Sequence, residues 1–189
     1  RTWRLANALL NRQIPTARPL ALVEKRRLGR VVDAFLITEC IEAAQDLDTM
    51  LALRLREADE RQSWRLKQQA IEALVPVLRR LHERGFIHRD LKAPNVMVQW
   101  NGEPEQAMRV LLVDLDGVRQ VKRPCPAAEA RALGRLSLSL DHCRRVTRTD
   151  RLRFLKRYLA RPGRPEPDWR PLWKTIEAGV KRKRARKEG

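Results

Sequence analysis

The chain has 189 residues, with 41 Lys and Arg against 23 Asp and Glu, so its formal net charge is +18. A hydrophobic content of 43% argues against disorder and allows a folded domain with its own core. Three widely separated cysteines outside any CxxC pattern argue against a disulfide framework or a zinc site, and no apolar run approaches the roughly 18 residues that a transmembrane helix needs.

The first quarter of the chain predicts a helix followed by a β-hairpin. Residues 3–11 carry apolar side chains at helical spacing, and two prolines in the following IPTARP segment prevent the helix from continuing. Residues 20–24 and 31–39 are strand-like and are joined by a polar connector that contains glycine. Because the chain opens at Arg1 inside the predicted helix and without an initiator Met, we expect this start to be a cut end.

Most of the remaining chain is predicted to be helical. Pro76 lies inside one of these helices and predicts a kink or an altered boundary. The run of basic residues at 181–187 is expected to fray. Helices are predicted over residues 47–55, 64–82, 126–142, 151–159 and 169–180.

A second hairpin is predicted in the middle of the chain. Two short apolar runs, residues 96–98 and 110–113, flank an Asn-Gly pair, which is a strong turn signal. Asn95 stands at the entrance of this hairpin and Asp114 at its exit. Because antiparallel strands bring those two ends together, we expect both side chains to converge on the loop that contains Asp90.

That loop reads FIHRDLKAPN and carries residues suited to phosphoryl transfer. The reaction needs an aligned acceptor hydroxyl and divalent metal to neutralise phosphate charge. Asp90 would accept the proton of the attacking hydroxyl, and Lys92 would reach the transferring phosphate. Asn95 and Asp114 would offer oxygen atoms to Mg²⁺, which prefers hard oxygen ligands. Taken alone, Asp90 is also compatible with a carboxylate that caps a turn.

The spacing of these residues is that of a kinase. His-Arg-Asp-Leu-x-x-x-Asn is the protein-kinase catalytic-loop signature, and this chain has it from His88 to Asn95. The DLDG segment at residues 114–117 stands where the Asp-Phe-Gly metal motif should follow, with Leu in place of Phe and Asp in place of Gly. Asp116 is either a second metal-facing carboxylate or a turn residue, and the turn is the preferred interpretation. We expect His88 to shape the loop rather than to transfer protons.

With these motifs the chain resembles the lipopolysaccharide kinase family, bacterial kinase-like enzymes that phosphorylate the inner-core sugars heptose or 3-deoxy-manno-octulosonic acid (Kdo). The resemblance includes IPTARPLAL at residues 14–22, FLITE at residues 35–39 and RTDRLRFL at residues 148–155. It implies an α+β, protein-kinase-like fold of two lobes, with ATP and Mg²⁺ in the cleft between them. Carried over by position, Asp90 is the catalytic base.

The resemblance also implies positions for the nucleotide. Thr38 falls at the gatekeeper position, and the backbone of Glu39 and Ile41 would contact adenine. The same residues are compatible with a strand end that enters a loop. Asn95 and Asp114 are metal ligands by the same correspondence.

The chain departs from the kinase pattern at its start. No Gly-rich phosphate loop and no strand Lys of the V-A-I-K type is present, and the first helix has no Glu to pair with such a Lys. Thr2 stands near the position where that Glu would be expected. Truncation within the N-terminal lobe is the simplest account, and a degenerate, non-catalytic kinase-like protein is the alternative. The predicted organisation is a remnant N-terminal lobe with hinge (1–41), a helical C-terminal lobe (42–180) and a basic tail (181–189).

The leading hypothesis is therefore an ATP-dependent phosphotransferase that acts on an inner-core sugar of lipopolysaccharide. Its net charge suits an anionic core glycolipid and the anionic inner-membrane surface, so we expect a cytoplasmic protein peripheral to the inner membrane. One alternative is a Ser/Thr protein kinase, against which stands the short segment between the DLDG motif and the next helix. Another is a non-catalytic basic binding module. No aromatic set is interleaved with the basic residues, so specific nucleic-acid binding is not predicted.

Overall fold

A computed structural model describes residues 2–101, 106–122 and 125–188, the side chains of residues 187 and 188 excepted. The chain forms mixed α and β structure, as predicted. The elements in chain order are α1 (Thr2–Leu10), β1 (Pro19–Arg27), β2 (Arg30–Thr38), β3 (Ala44–Asp46), α2 (Leu47–Glu57), α3 (Glu60–Glu83), β4 (Phe86–His88), β5 (Val96–Gln99), β6 (Arg109–Leu112), β7 (Val118–Gln120), α4 (Pro126–Ser139), α5 (Arg148–Leu159) and α6 (Arg170–Glu188).

The first hairpin, β1–β2, forms where the sequence predicts it. The strands are antiparallel, with Pro19 opposite Thr38 and Arg27 opposite Arg30, and the tight turn between them places Leu28 and Gly29 at positive φ. Both faces of the hairpin are largely exposed to solvent. It is anchored mainly at its base, where Pro19 is buried.

A short segment joins α1 to the interior of the molecule. Ile14 is fully buried, and the Thr16 hydroxyl donates a hydrogen bond to the carbonyl oxygen of Leu112 at 2.7 Å. The Leu112 N–H in turn donates to the carbonyl oxygen of Pro15 at 2.9 Å. The IPT motif is thus a strand-like link that fixes α1 and the first hairpin to the end of β6.

The second hairpin, β5–β6, is also confirmed. It is antiparallel, with Val96 opposite Leu112 and Gln99 opposite Arg109, and β3 adds a third strand beside β5. The strand residues that face the core are almost completely buried. Part of the predicted Asn-Gly turn falls in residues 102–105, outside the described residues.

Helix α3 is the central element of the helical region. It begins with a capping box in which the Asp59 carboxylate accepts from the N–H of Gln62 and the Gln62 side chain accepts from the N–H of Asp59. It continues through Pro76 to Glu83, so the helix has no boundary at Pro76, and the alternative of a kink stays a prediction. Apolar residues on both sides of Pro76 are buried in the core, and we infer that their packing offsets the lost backbone hydrogen bond.

Helices α4, α5 and α6 complete the region. Helix α5 starts three residues before the predicted position, because Thr147 and Asp150 form a capping box there. Helix α6 continues to Glu188, so its predicted end at residue 180 is wrong. Arg184 forms an ion pair with Asp141 at 2.7 Å, which holds part of the basic run against the body of the protein. Within the described ranges, no helix combines the length and apolarity needed to cross a bilayer.

Candidate active site

The loop after β4 is held at both ends by buried residues. Leu91 and Ala93 are completely buried, and the Ala93 N–H donates to the Ser139 hydroxyl of α4 at 2.9 Å. A 3₁₀ turn over Ala93–Asn95 then leads directly into β5. Asp90 is therefore presented on a loop that the core and α4 keep in one shape.

Asp90 is partly exposed and has a cationic neighbour. The Lys92 ammonium lies 2.9 Å from Asp90 Oδ2, and roughly half of each side chain is accessible, 50% for Lys92 and 42% for Asp90. An acceptor molecule can therefore reach the carboxylate from solvent. Asp90, the predicted base, and Lys92, which is predicted to reach the transferring phosphate, are thus in direct contact.

Asn95 links the two acidic motifs. Its Nδ2 donates to the backbone carbonyl oxygen of Asp90 at 2.9 Å and to Asp114 Oδ2 at 3.2 Å. Both contacts use the amide nitrogen, so the amide oxygen Oδ1 is left available. The predicted convergence of Asp90, Asn95 and Asp114 is present in the structure.

The backbone of Asp114 has an unusual conformation. Its φ of 53° and ψ of 60° lie in the left-handed region, which non-glycine residues rarely adopt. A 3₁₀ turn, Leu115–Gly117, follows immediately, and the buried Leu115 side chain secures it. The sharp change of direction after β6 leaves the Asp114 carboxylate exposed beside Asn95.

His88 connects the catalytic loop to the segment before Asp114 from the buried side. It is fully buried, its Nε2 lies 3.2 Å from the Val113 carbonyl oxygen, and its Nδ1 accepts from the Asp90 N–H at 3.3 Å. Since a carbonyl only accepts, Nε2 carries the proton of a neutral imidazole. Burial lowers the pKa of His88, although the nearby Asp114 and Asp90 act in the opposite direction. These contacts are those of a residue that shapes the loop.

Gly117 allows the DLDG turn to approach the catalytic loop closely. A Cβ atom at this position would lie 3.2 Å from the Asp90 N atom and 3.3 Å from His88 Nδ1, which is tighter than ordinary packing. The Arg89 N–H donates to the Gly117 carbonyl oxygen at 2.9 Å. Sequence reasoning gave Gly117 no role, although a glycine beside an acidic motif was a usable signal for close backbone approach.

Asp116 contacts the first helix. Its Oδ1 accepts a hydrogen bond from the Thr2 hydroxyl at 2.7 Å, and its backbone oxygen accepts one from Arg119 at 2.9 Å. It also lies within the 3₁₀ turn. These contacts favour the interpretation of Asp116 as a turn residue that ties α1 to the acidic motif.

A cleft of about 370 Å³ lies between α1, the first hairpin and the DLDG segment. Thr38 and Asp114 are on its wall, so the predicted gatekeeper and the predicted metal ligand share one cavity. The cleft is lined further by Thr2, Ala6, Thr16, Ala17, Leu22, Glu24, Ala34, Leu36, Val113, Leu115 and Asp116.

The predicted adenine-contacting segment lies just beyond β2. The Glu39 N–H is already used, since it donates to the Arg18 carbonyl oxygen at 2.9 Å. The Glu39 carboxylate accepts from the Arg18 N–H at 3.0 Å. Only the carbonyl oxygen of Glu39 is therefore suited to a purine, together with the backbone of Ile41. The assignment of both residues stays a prediction.

The oxygen donors at the cleft fit a magnesium ion that is held partly by phosphate. Asp114 supplies a carboxylate and Asn95 a free amide oxygen, and Mg²⁺ is usually bound by one or two such ligands together with phosphates and waters. No cluster of three or more His, Cys, Asp or Glu side chains suited to a metal occurs in the described part of the chain. Because Asp114 and Asn95 would supply only part of the coordination of Mg²⁺, the arrangement suits a metal that arrives with a nucleotide.

Comparisons with known proteins agree with this geometry. Residues 1–158 match the family model described as the lipopolysaccharide kinase (Kdo/WaaP) family. Over 115 residues, the chain is 30% identical to a 3-deoxy-D-manno-octulosonic acid kinase of Haemophilus influenzae and 34% identical to one of Actinobacillus succinogenes. These matches cover 60% of this chain and 42% of each relative, so the matched region spans less than half of the length of the curated relatives.

The fold has a counterpart among solved structures. A structure of WaaP in complex with acyl carrier protein superposes with a TM-score of 0.72 and 23% sequence identity, over 96% of this chain and 74% of that one. At this level of identity the similarity establishes the protein-kinase-like fold.

Proposed function

The chain belongs to the lipopolysaccharide kinase (Kdo/WaaP) family, and we propose that it provides the catalytic loop and metal site of an ATP-dependent kinase that phosphorylates Kdo or heptose in the lipopolysaccharide core. The observation that carries the proposal is the hydrogen-bonded set of Asp90, Asn95 and Asp114. Membership of a kinase family supports the use of ATP. The Kdo kinases among its relatives favour Kdo as the acceptor.

In the proposed reaction, Asp90 orients the acceptor hydroxyl and takes its proton. The hydroxyl oxygen forms a bond to the terminal phosphorus of ATP while the bond from that phosphorus to the ADP oxygen breaks. Lys92, 2.9 Å from Asp90, is placed to contact the phosphoryl group as it is transferred. Asn95 Oδ1 and the Asp114 carboxylate would hold Mg²⁺, which neutralises phosphate charge when it is bound.

The cleft of about 370 Å³ supports a place for the nucleotide. Its wall runs from Thr38 to Asp114, so adenine at the Glu39 carbonyl and the Ile41 backbone would direct the phosphates toward Asp114. The hydrogen bond from Thr2 to Asp116 keeps α1 beside this cleft.

The charge of the chain supports the proposed acceptor and location. A formal net charge of +18 favours an anionic glycolipid and an anionic membrane surface, each nearby Lys or Arg contributing on the order of 1 kcal/mol. We therefore propose a cytoplasmic protein that binds the inner membrane peripherally. Binding to vesicles that contain anionic lipid, with loss of binding at high salt, is the expected result. Equal binding to neutral vesicles would contradict it.

The activity is tested by transfer of labelled phosphate from ATP to purified core glycolipid. The protein that contains this chain should label the glycolipid, and the Asp90→Asn variant should not. Labelling of a protein substrate without labelling of the glycolipid would support the alternative of a Ser/Thr protein kinase. Retained membrane binding with no transfer to either acceptor would support a non-catalytic module.

A second partner is proposed from the helical region. WaaP has been solved with an acyl carrier protein, and this chain has an apolar cavity of about 100 Å³ between α2, α3, α4, α5 and α6. The cavity shares Val146, Trp173 and Ile176 with a groove of about 730 Å³. Basic residues outnumber acidic ones in this groove: it is lined by Arg144, Arg148, Arg151, Lys181 and Arg184, and by Asp141 and Glu177, which pair with Arg184 and Arg148. An apolar cavity beside a cationic groove suits an acyl chain on an anionic carrier.

Co-purification with acylated carrier protein, but not with its acyl-free form, would support this partner. The Ile176→Trp variant, which fills the cavity, should weaken the complex. Binding of both carrier forms with equal affinity would contradict the role of the cavity.

A further inference from the structure

Cations that the proposed reaction does not use flank the catalytic loop. Arg89 directly precedes Asp90 and is exposed, and Arg119 follows the DLDG turn. In the antiparallel β4–β7 pair, Arg119 lies opposite Ile87, and the Arg89 N–H donates to the Gly117 carbonyl oxygen at 2.9 Å. This register makes Arg89 and Arg119 diagonal neighbours on one face of the two strands.

The two guanidinium groups differ in what they contact. Nη1 of Arg119 donates to the carbonyl oxygens of Asp116 at 2.9 Å and of Val118 at 3.1 Å, so that side chain is fixed against the turn. For Arg89 the structure records no side-chain hydrogen bond or ion pair with any described residue. Lys92, two residues after the base, is paired with Asp90. Of the described cations next to the base, Arg89 is thus the one whose side chain has no recorded partner.

Three aspartates make this site unfavourable for an acidic acceptor. Asp90, Asp114 and Asp116 lie on two segments that are in backbone contact. A carboxylate or phosphate on the acceptor would be repelled by them unless a cation faces it. The guanidinium of arginine is suited to this task, since it binds such groups through two parallel hydrogen bonds.

The chain between the DLDG turn and α4 is short. Only residues 118–125 separate the turn from Pro126, the first residue of α4. Within the described part of the chain Arg89 is exposed, so its guanidinium is accessible to an acceptor.

On the basis of the proposed function, we propose that Arg89 determines acceptor specificity by binding an acidic group of the sugar, a carboxylate or a phosphate, while the reacting hydroxyl lies at Asp90. Arg119 adds positive potential on the same face. The acceptor is thereby selected for an acidic group within one sugar ring of the phosphorylated hydroxyl.

The test compares Arg89→Gln, Arg89→Lys and Arg84→Gln in steady-state assays with three acceptors. These are the core glycolipid, the same glycolipid with its sugar carboxylate converted to the methyl ester, and the same glycolipid after removal of its phosphates. Arg84 is a matched control, because it is exposed at the other end of β4 and its loss changes the net charge equally. Thermal unfolding of each variant checks that the fold is retained.

Arg89→Gln is expected to raise KM for the intact glycolipid about 10- to 100-fold, the range for losing a hydrogen bond between charged groups, with kcat and the KM for ATP nearly unchanged. Arg89→Lys should restore part of this loss, and Arg84→Gln should show none. The effect should disappear with the methyl ester if the carboxylate is bound, or with the dephosphorylated acceptor if a phosphate is bound.

Three results would overturn the inference. The first is an unchanged KM for the intact glycolipid in Arg89→Gln. The others are a rise in KM that stays the same with both altered acceptors, and an equal rise in the KM for ATP. If the wild-type protein transfers no phosphate to any sugar, it is the proposed function that fails. Titration of the wild-type protein and Arg89→Gln with free Kdo and with inorganic phosphate then decides the inference. Equal affinities for both probes refute it, and at least tenfold weaker binding of either probe by the variant supports it.

Discussion

The hairpins β1–β2 and β5–β6 both contain several aliphatic residues, but these residues have opposite environments. In β5–β6, Val96, Val98, Val110 and Leu112 are 0–4% exposed. In β1–β2, Leu22, Val31, Phe35 and Ile37 are 40–59% exposed. Local sequence is sufficient to specify a hairpin, but the elements that pack against it decide its burial. The proposed metal ligands Asn95 and Asp114 flank the buried hairpin, and the proposed base Asp90 lies in the loop that precedes it.

The largest expected effect is a loss of kinase activity from a substitution beside the buried hairpin but not from one on the exposed hairpin. Asp90→Asn removes the proposed base beside the buried hairpin and should lower kcat about 100- to 10,000-fold, the range for loss of general-base catalysis. Asp33→Asn is the matched control, because Asp33 is an exposed aspartate on β2. Phosphate transfer to core glycolipid is the measurement. Comparable losses in both variants would remove the functional distinction between the hairpins.

The second expected effect is a difference between the two hairpins in how much a Leu→Ala substitution lowers the free energy of unfolding. Leu112→Ala deletes a completely buried side chain and should lower the free energy of unfolding by about 2–5 kcal/mol. Leu22→Ala makes the same change where the side chain is 40% exposed, and should cost about 1 kcal/mol or less. Urea unfolding measures both values. The comparison fails if the two variants lose equal stability.

The third effect concerns pH and the buried His82 near the end of α3, in the core region and outside the exposed hairpin. Burial lowers the pKa of His82 to about 4, although its Nδ1 lies 2.7 Å from the Tyr158 hydroxyl. Between pH 6.5 and 4 the unfolded state binds more protons at this residue, so the free energy of unfolding falls as pH decreases. The loss is roughly 3 kcal/mol across this window.

His82→Gln, which cannot be protonated, should flatten the dependence of urea stability on pH between 5 and 6.5. His142→Gln is the control, because His142 is a largely exposed histidine. An unaltered pH slope in His82→Gln would exclude this residue as the source.

The smallest effect concerns the link between the hairpins. Thr16→Val keeps the side-chain shape but removes the hydroxyl that donates to the Leu112 carbonyl oxygen at 2.7 Å. The expected loss is about 1–2 kcal/mol, because that buried carbonyl then has one partner fewer. Thr38→Val, at an exposed position, is the control. Calorimetry that finds no difference between the two variants would contradict a structural role for the link.

Much of the fold was predictable because its signals are local. Helical periodicity, the breaks at proline and the Asn-Gly pair located most helices and both hairpins. The three-residue strands β3, β4 and β7 were missed, since such short strands have no detectable alternation. The continuation of α6 is accompanied by an ion pair between Arg184 and Asp141, which are 43 residues apart, and no local pattern reveals this contact.

The candidate active site likewise has features that the sequence predicts and features that only the structure shows. The catalytic-loop spacing and the hairpin were enough to predict that Asp90, Asn95 and Asp114 meet. The bridge made by His88 to Val113, and the use of the Glu39 N–H by Arg18, are tertiary contacts that only the folded chain defines. Gly117 is an intermediate case. Its identity as a glycine is visible in the sequence, but its close approach to Asp90 and His88 is seen only in the folded chain.

The left-handed backbone of Asp114 has a consequence for protein engineering. Glycine adopts this conformation without steric cost, whereas an aspartate there costs on the order of 1 kcal/mol. A library selected only for heat resistance should therefore accumulate Gly or Asn at position 114 and lose phosphate transfer as it does so. Asp114 is the residue whose backbone conformation strains the turn, and attempts to thermostabilise this protein should nevertheless leave it unchanged.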